Sequence, residues 1–199
     1  MDCHIKGVQL QKTRCAWVSK DDIYQQYHDK VWGRAVYDKQ QLFAKLCLDG
    51  QQAGLSWLTI LKKQDNYYRA FFDFAPNLIS KMTEHDIQRL MQDASIVRNR
   101  LKINSIIKNA KAYLHMQEQG IDFSEFIWGF VDGTQVVNHW TAKDQVPTST
   151  TQSDAMAKAL KAHGFSFVGT TICYAFMQAV GLVNDHTVDC FCYLHRDKG

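Results

Sequence analysis

Cys15, His28, His186 and Cys190 are two thiols and two imidazoles, one of each kind near either end of the chain. Four such ligands in a tetrahedron would make a fully protein-ligated zinc site. With no coordination position left open, that zinc would be a structural clamp joining the chain ends. His186 and Cys190 stand at i,i+4, so one helical turn would point both side chains the same way. Cys15 and His28, with twelve residues between them, need a closed loop instead. The spacing fits no local zinc finger. On spacing alone, ordinary buried thiols and surface histidines are the simpler reading, and the clamp stands beside it.

A second constellation occupies the first third of the chain. Trp17, Tyr24, Tyr27, Trp32 and Trp57 are interleaved with the polar block Asp49-Gly-Gln-Gln-Ala-Gly54. Glycines and a short acid cost helix stability, so a block of this kind points to a site rather than to plain core. For any one aromatic the bland alternative is core, and it is preferred for Trp32 and Trp128. Other chemistries are excluded by what the chain lacks. It has no phosphate-cradling glycine loop, no Gly-x-Ser-x-Gly elbow, no Cys-x-x-Cys and no histidine followed two residues later by glutamate.

The elements that must position these residues read as helices. Only Pro76 and Pro147 interrupt the chain, and no run shows sustained strand alternation. Asp38 is placed to cap a helix through Leu48, and a second helix is expected from Gln51 across Leu55, Leu58, Ile60 and Leu61. Asp49 could then be merely the cap of that second helix. Thr83 with Asp86 forms a capping box for a helix burying Ile87, Leu90 and Met91. Ile103, Ile106, Ile107, Ala110, Tyr113 and Leu114 give the strongest helical period. Phe123 to Phe130 marks a short aromatic helix, Thr151 with Asp154 starts another, and 167–180 reads as a central buried helix. The stretch 132–153 is the main connecting loop. At 199 residues, 46% apolar, 22% charged and a net charge of +3, the chain is an ordinary globular protein that permits a nucleic-acid partner without demanding one. It has no apolar run long enough for a membrane span and no signal-peptide core in its first residues. The expected address is the cytoplasm, where six cysteines imply reduced thiols or metal ligands rather than disulfides.

Three long blocks in order carry a specific resemblance: CAWVSKDDIYQQYHDKVWG (15–33), LDGQQAGLSWLTILKK (48–63) and FVGTTICYAFMQAVGLVNDHTVDC (167–190). They resemble the bacterial DNA-3-methyladenine glycosylase I family. The resemblance divides the chain into an N-terminal extension (1–14), a glycosylase domain (15–193) and a short tail (194–199). It implies an all-α, helix-hairpin-helix glycosylase-like fold, with two helical lobes around a base pocket. It also implies excision of N3-methyladenine from double-stranded alkylated DNA, with free 3-methyladenine as product. In that family a structural zinc is held by residues matching Cys15, His28, His186 and Cys190. This favours the clamp reading, and Cys190 over Cys192; Cys3 and His4 are taken as incidental.

By the same resemblance, Trp17, Tyr24, Tyr27 and Trp57 are candidates to stack a flipped base. Each electron-rich ring attracts a cationic base by about 0.5–2 kcal/mol. The family's pocket glutamate falls at Asp49. A carboxylate there would recognise the base and stabilise both the cation and the developing oxocarbenium sugar. Aspartate keeps the charge but loses roughly 1.5 Å of reach. DNA contacts are expected from the helix-hairpin-helix region, about 87–110, through Arg98, Arg100 and Lys102, the stretch 95–112 carrying no acidic residue. Ser95 and Leu101 stand where such hairpins usually carry glycine, which suggests a degenerate turn. Gly54 and Leu55 are candidates to press into the gap left by the flipped nucleotide, with core as the alternative for Leu55. The expected activity is a monomeric, monofunctional glycosylase with no lyase step, since no lysine is evidently placed as a Schiff-base nucleophile. The alternatives are a non-catalytic reader of alkylated bases and a clamped helical domain that binds DNA nonspecifically.

Overall fold

The computed structural model describes residues 12–193. Cys3, His4 and the tail 194–199 lie outside the described residues. Thr13 and Arg14, assigned to the extension, are tied to the body. The Thr13 carbonyl accepts from the Phe191 amide at 3.0 Å, and Arg14 makes a paired contact with Asp29 at 2.8 and 2.7 Å.

Helices dominate, and short polar side chains start most of them. Asp21 caps α1 (Asp22–Lys30) and Asp38 caps α2 (Lys39–Gln52), the latter by accepting from the Gln41 amide at 2.8 Å. Ser56 caps α3 (Trp57–Leu61), which is followed by α4 (Gln64–Ala70) and the single turn α5 (Pro76–Ile79). The Thr83–Asp86 capping box opens α6 (Glu84–Gln92) as expected, and Asn99 caps α7 (Arg100–Glu118). Then come α8 (Phe123–Trp128), α9 (Thr151–Ala162) and α10 (Thr170–Ala179). The core sits where α2 packs against α7 and α10, around Leu42, Phe43, Leu46, Ile103, Ile106, Phe176 and Met177.

Some boundaries differ from the sequence reading, each for a local reason. The separate helix from Gln51 does not exist. α2 continues through Asp49 and Gly50, so Asp49 is not an N-cap but an interior residue. Gly50 is there for close approach, since a Cβ would stand 3.1 Å from the Phe167 Cβ. Thr150, not Thr151, caps α9 by accepting from the Ser153 amide at 3.2 Å. α10 starts only at Thr170 because Phe167 is left-handed (φ 57°) and Gly169 is the cap. The connecting loop contains a two-residue strand, β1 (Val136–Val137), parallel to β2 (Val183–Asn184). Two residues are too few to show alternation. Trp128 is core, its indole donating to the Val36 carbonyl at 2.9 Å.

Candidate functional site

Cys15, His28, His186 and Cys190 converge, all buried, with their donor atoms within 4.8 Å of one another. The Cys190 sulfur lies 3.4 Å from His28 Nε2 and 3.5 Å from His186 Nδ1, and the Cys15 sulfur lies 3.5 Å from His186 Nδ1. A tetrahedral ion with bonds of about 2.0–2.3 Å separates its nitrogen and sulfur ligands by roughly 3.5–3.6 Å, so the donor set fits. The second nitrogen of each imidazole is also committed. His28 Nδ1 pairs with Asp29 at 2.8 Å, itself held by Arg14, and His186 Nε2 donates to the Trp32 carbonyl at 3.2 Å. These contacts fix each ring and leave its other lone pair facing the sulfurs. The four residues could therefore hold a metal ion. His186 and Cys190 meet through a turn, the Cys190 amide donating to the Thr187 carbonyl at 2.8 Å, and not through the helical turn that i,i+4 spacing suggested. Cys192 turns toward the Asp29 carbonyl at 3.9 Å and gives its amide to the Cys190 sulfur at 3.5 Å, supporting that ligand rather than replacing it.

Beside this cluster opens a pocket of about 340 Å³. Four sequence-nominated aromatics, Trp17, Tyr24, Tyr27 and Trp57, all line it, as does Asp49. Tyr27 and Trp57 stand 5.4 Å apart, and Trp17 packs on Tyr24 at 5.1 Å and on His28 at 5.3 Å. Trp32, read as core, also lines the pocket and touches both ligand histidines. Burial and the nearby Asp49 carboxylate push the Tyr27 phenol well above its usual range, so it presents a neutral ring.

Two carboxylates reach this pocket, and their surroundings differ. Asp185 is saturated. One oxygen accepts from Tyr174 (2.6 Å) and Gln178 (2.8 Å), the other from Asn138 (2.6 Å) and the Trp140 indole (2.8 Å). It braces the segment bearing His186. Asp49, only 1% exposed, has one oxygen on the Lys45 ammonium and leaves Oδ2 with no hydrogen-bond partner. A buried acceptor without a partner costs about 1–3 kcal/mol, so it marks a place where something else binds. Burial raises the Asp49 carboxyl above its ordinary range, while the Lys45 ammonium opposes that shift. Lys45 and Asp185 were not singled out from sequence. The i,i+4 Lys–Asp pair was visible, but only the fold shows that it faces a pocket.

The segment expected to form the hairpin is α6, a turn over 93–99, and α7. Neither Ser95 nor Leu101 has positive φ, so the turn does not depend on the missing glycines. Lys63 fastens it instead, donating to the Ala94 and Ser95 carbonyls at 2.9 and 3.1 Å. Arg98 is exposed and makes no ion pair among the described residues, while Arg100 pairs with Glu84. Lys102 corrects the expectation that it grips DNA. Its ammonium is turned inward, donating to the Gln51 and Ala53 carbonyls at 2.6 and 2.7 Å at the end of α2. This ties the start of α7 to the turn carrying Gly54 (φ 73°) and Leu55, which is 40% exposed and so not core. Truncating Lys102→Ala orphans two carbonyls and is expected to cost about 2 kcal/mol, lowering Tm by about 4–8 °C in a thermal melt. An unchanged Tm would contradict this positioning role.

The fold is thus a helical body with an aromatic, acid-bearing pocket beside a Cys₂His₂ cluster. The chain belongs to the methyladenine glycosylase family, whose model matches residues 17–193. It is 54% identical over 180 residues to the DNA-3-methyladenine glycosylase 1 of Escherichia coli K12, covering 90% of this chain and 96% of that protein. A crystal structure of a 3-methyladenine DNA glycosylase I superposes with a TM-score of 0.90 at 54% identity, covering 91% of this chain and all of the other. A Tyr-to-Phe variant of such an enzyme, solved in complex with 3-methyladenine, superposes with a TM-score of 0.87 at 40% identity, covering 90% of this chain and 97% of the other.

Proposed function

We propose that this chain is an N-glycosyl hydrolase that excises N3-methyladenine from alkylated double-stranded DNA. The observation that carries the reading is the unpartnered Asp49 oxygen, buried in the wall of an aromatic pocket. N3 methylation leaves the base cationic, and its bond to the sugar is already weakened. The protein must therefore supply selection and charge stabilisation more than acid. Tyr27 and Trp57, with Trp17 and Tyr24 behind them, offer ring faces to the flipped cation. Asp49 faces the base and the oxocarbenium character that grows on the sugar. As the C1′–N9 bond breaks, its electron pair returns to N9 and the base departs neutral. Water then adds to C1′ and loses a proton.

In this reading Leu55, on its exposed turn, would fill the gap in the stack, with Gly54 giving the turn its course. Arg98 and Arg100 on the hairpin would meet phosphates, Arg100 giving up its pairing with Glu84. The Cys15–His28–His186–Cys190 set is a zinc site by ligand type, with all four positions supplied by protein. When bound, the ion supplies a cross-link and no Lewis acid to the base. The chain's own His28 fixes the adjacent Tyr27 on α1. Among the described residues no helix is long and apolar enough to cross a membrane. A monomer acting in the cytoplasm is the simplest working form.

The test is release of free 3-methyladenine from methylated DNA, with borohydride added in parallel. The expected result is free base and no trapped protein–DNA adduct. A trapped adduct would replace the monofunctional reading with a lyase. The Lys45 contact with Asp49 is the observation favouring the second reading, a reader whose carboxylate is already neutralised. Tight binding of 3-methyladenine with no release would establish that instead.

A further inference from the structure

Lys45 lies one helical turn before Asp49 on α2 and lines the same pocket. Its Nζ stands 3.8 Å from the centroid of the Trp57 ring and 6.0 Å from that of Tyr27, and bonds to Asp49 Oδ1. A carboxylate and two electron-rich rings are the features by which a pocket would select a cationic base, and here a cation of the protein already uses them. Asp49 is almost sealed, with its side chain 2% exposed. The lysine's is 14% exposed, so its flexible four-carbon stem has a way out to solvent.

We propose that Lys45 is a resident competitor for the cationic base: its ammonium holds the Asp49–Trp57 site when the pocket is empty, leaves when the alkylated nucleotide enters, and returns when the base becomes neutral. This rests on the base-pocket reading above. It follows from the charge balance of the reaction. In the nucleotide the methylated base is cationic and can contest the site. Once the glycosidic electron pair has passed to N9, the base carries no charge and loses its claim, whereas the ammonium keeps its own. Lys45 thus raises the threshold for a cationic guest: only one that outbids the ammonium for the Asp49 carboxylate and the Trp57 face is held there. Binding of such a guest is an exchange of one cation for another, and the net affinity is the difference between the two.

The test compares the parent protein with Lys45→Met, which keeps the length and apolar stem, and with Lys45→Gln as a second uncharged variant. Two probes are titrated against tryptophan fluorescence: 3,9-dimethyladeninium, a permanent cation with a methyl in place of the sugar, and neutral 3-methyladenine. Both variants are expected to bind the cation about tenfold more tightly than the parent and the neutral base within about twofold, so the ratio of the two affinities shifts. An unchanged ratio, or weaker cation binding in the variants, would overturn the role of Lys45 while leaving the pocket in place. No binding of the cation by any of the three proteins would remove the cation site itself, and with it this inference and the assignment of the pocket.

Discussion

Asp49→Asn is expected to release 3-methyladenine from methylated DNA about 10²–10³-fold more slowly than the parent, the loss found when one preorganised charge or donor is removed from a reacting site. The substitution is nearly isosteric and leaves α2 intact, so near-ultraviolet circular dichroism should report an unchanged fold. Its amide cannot offset the charge on the base or on the oxocarbenium sugar. It also frees the Lys45 ammonium, which then stands unopposed in the pocket and repels the guest. Both effects act in the same direction. Asp49→Glu should retain release, because it restores roughly 1.5 Å of reach and keeps the charge. Undiminished release by Asp49→Asn would remove Asp49 from the chemistry. An inactive parent rescued by Asp49→Glu would show that the shorter acid had turned the scaffold into a reader.

Loss of the proposed zinc is the second large expected effect. A structural zinc contributes about 10 kcal/mol or more where folding depends on it, and for a chain of this size each kcal/mol moves Tm by about 2–4 °C. Chelation, or Cys15→Ser, should therefore lower Tm by at least about 10 °C. Elemental analysis should fall from one zinc per chain to none. The cluster joins the segment around Cys15 to the one around Cys190, alongside the Thr13–Phe191 hydrogen bond and the Lys12 and Arg14 cations over the Phe191 ring. Base affinity should fall with it, because Trp17 packs on His28 and Tyr27 is its neighbour on α1. Cys192→Ser is the control. Its side chain is not among the donors of the four-residue set, and the variant should keep its zinc. Equal metal retention in Cys15→Ser and Cys192→Ser would refute this ligand set.

Much of the site was legible through the three blocks that resemble the family. They single out the four soft ligands, the aromatics at 17, 24, 27 and 57, and the carboxylate in a glycine- and glutamine-rich block. Spacing alone left the Cys/His set an ordinary group of thiols and imidazoles. The capping residues Asp38 and Thr83 set helix starts from purely local hydrogen bonds. Where the reading failed, the deciding contact was distant. Gly50 reads as a helix breaker until Phe167 is seen against it. Lys102 reads as a DNA-facing cation at a helix start until the end of α2 offers it two carbonyls. Lys45 goes unmarked in the sequence, because its significance appears only when Trp57 arrives from the next helix.

The sequence by itself determined the helical class, which depends on periodicity and on caps a few positions apart. The ligand set, the aromatic set and the acid were legible only through the blocks that resemble the family. The tertiary structure alone decided which carboxylate is left unsatisfied, Asp49 rather than the fully bonded Asp185, and which cation sits on it. Whether a buried oxygen has a partner depends on every element that packs around it, and no local pattern encodes that sum.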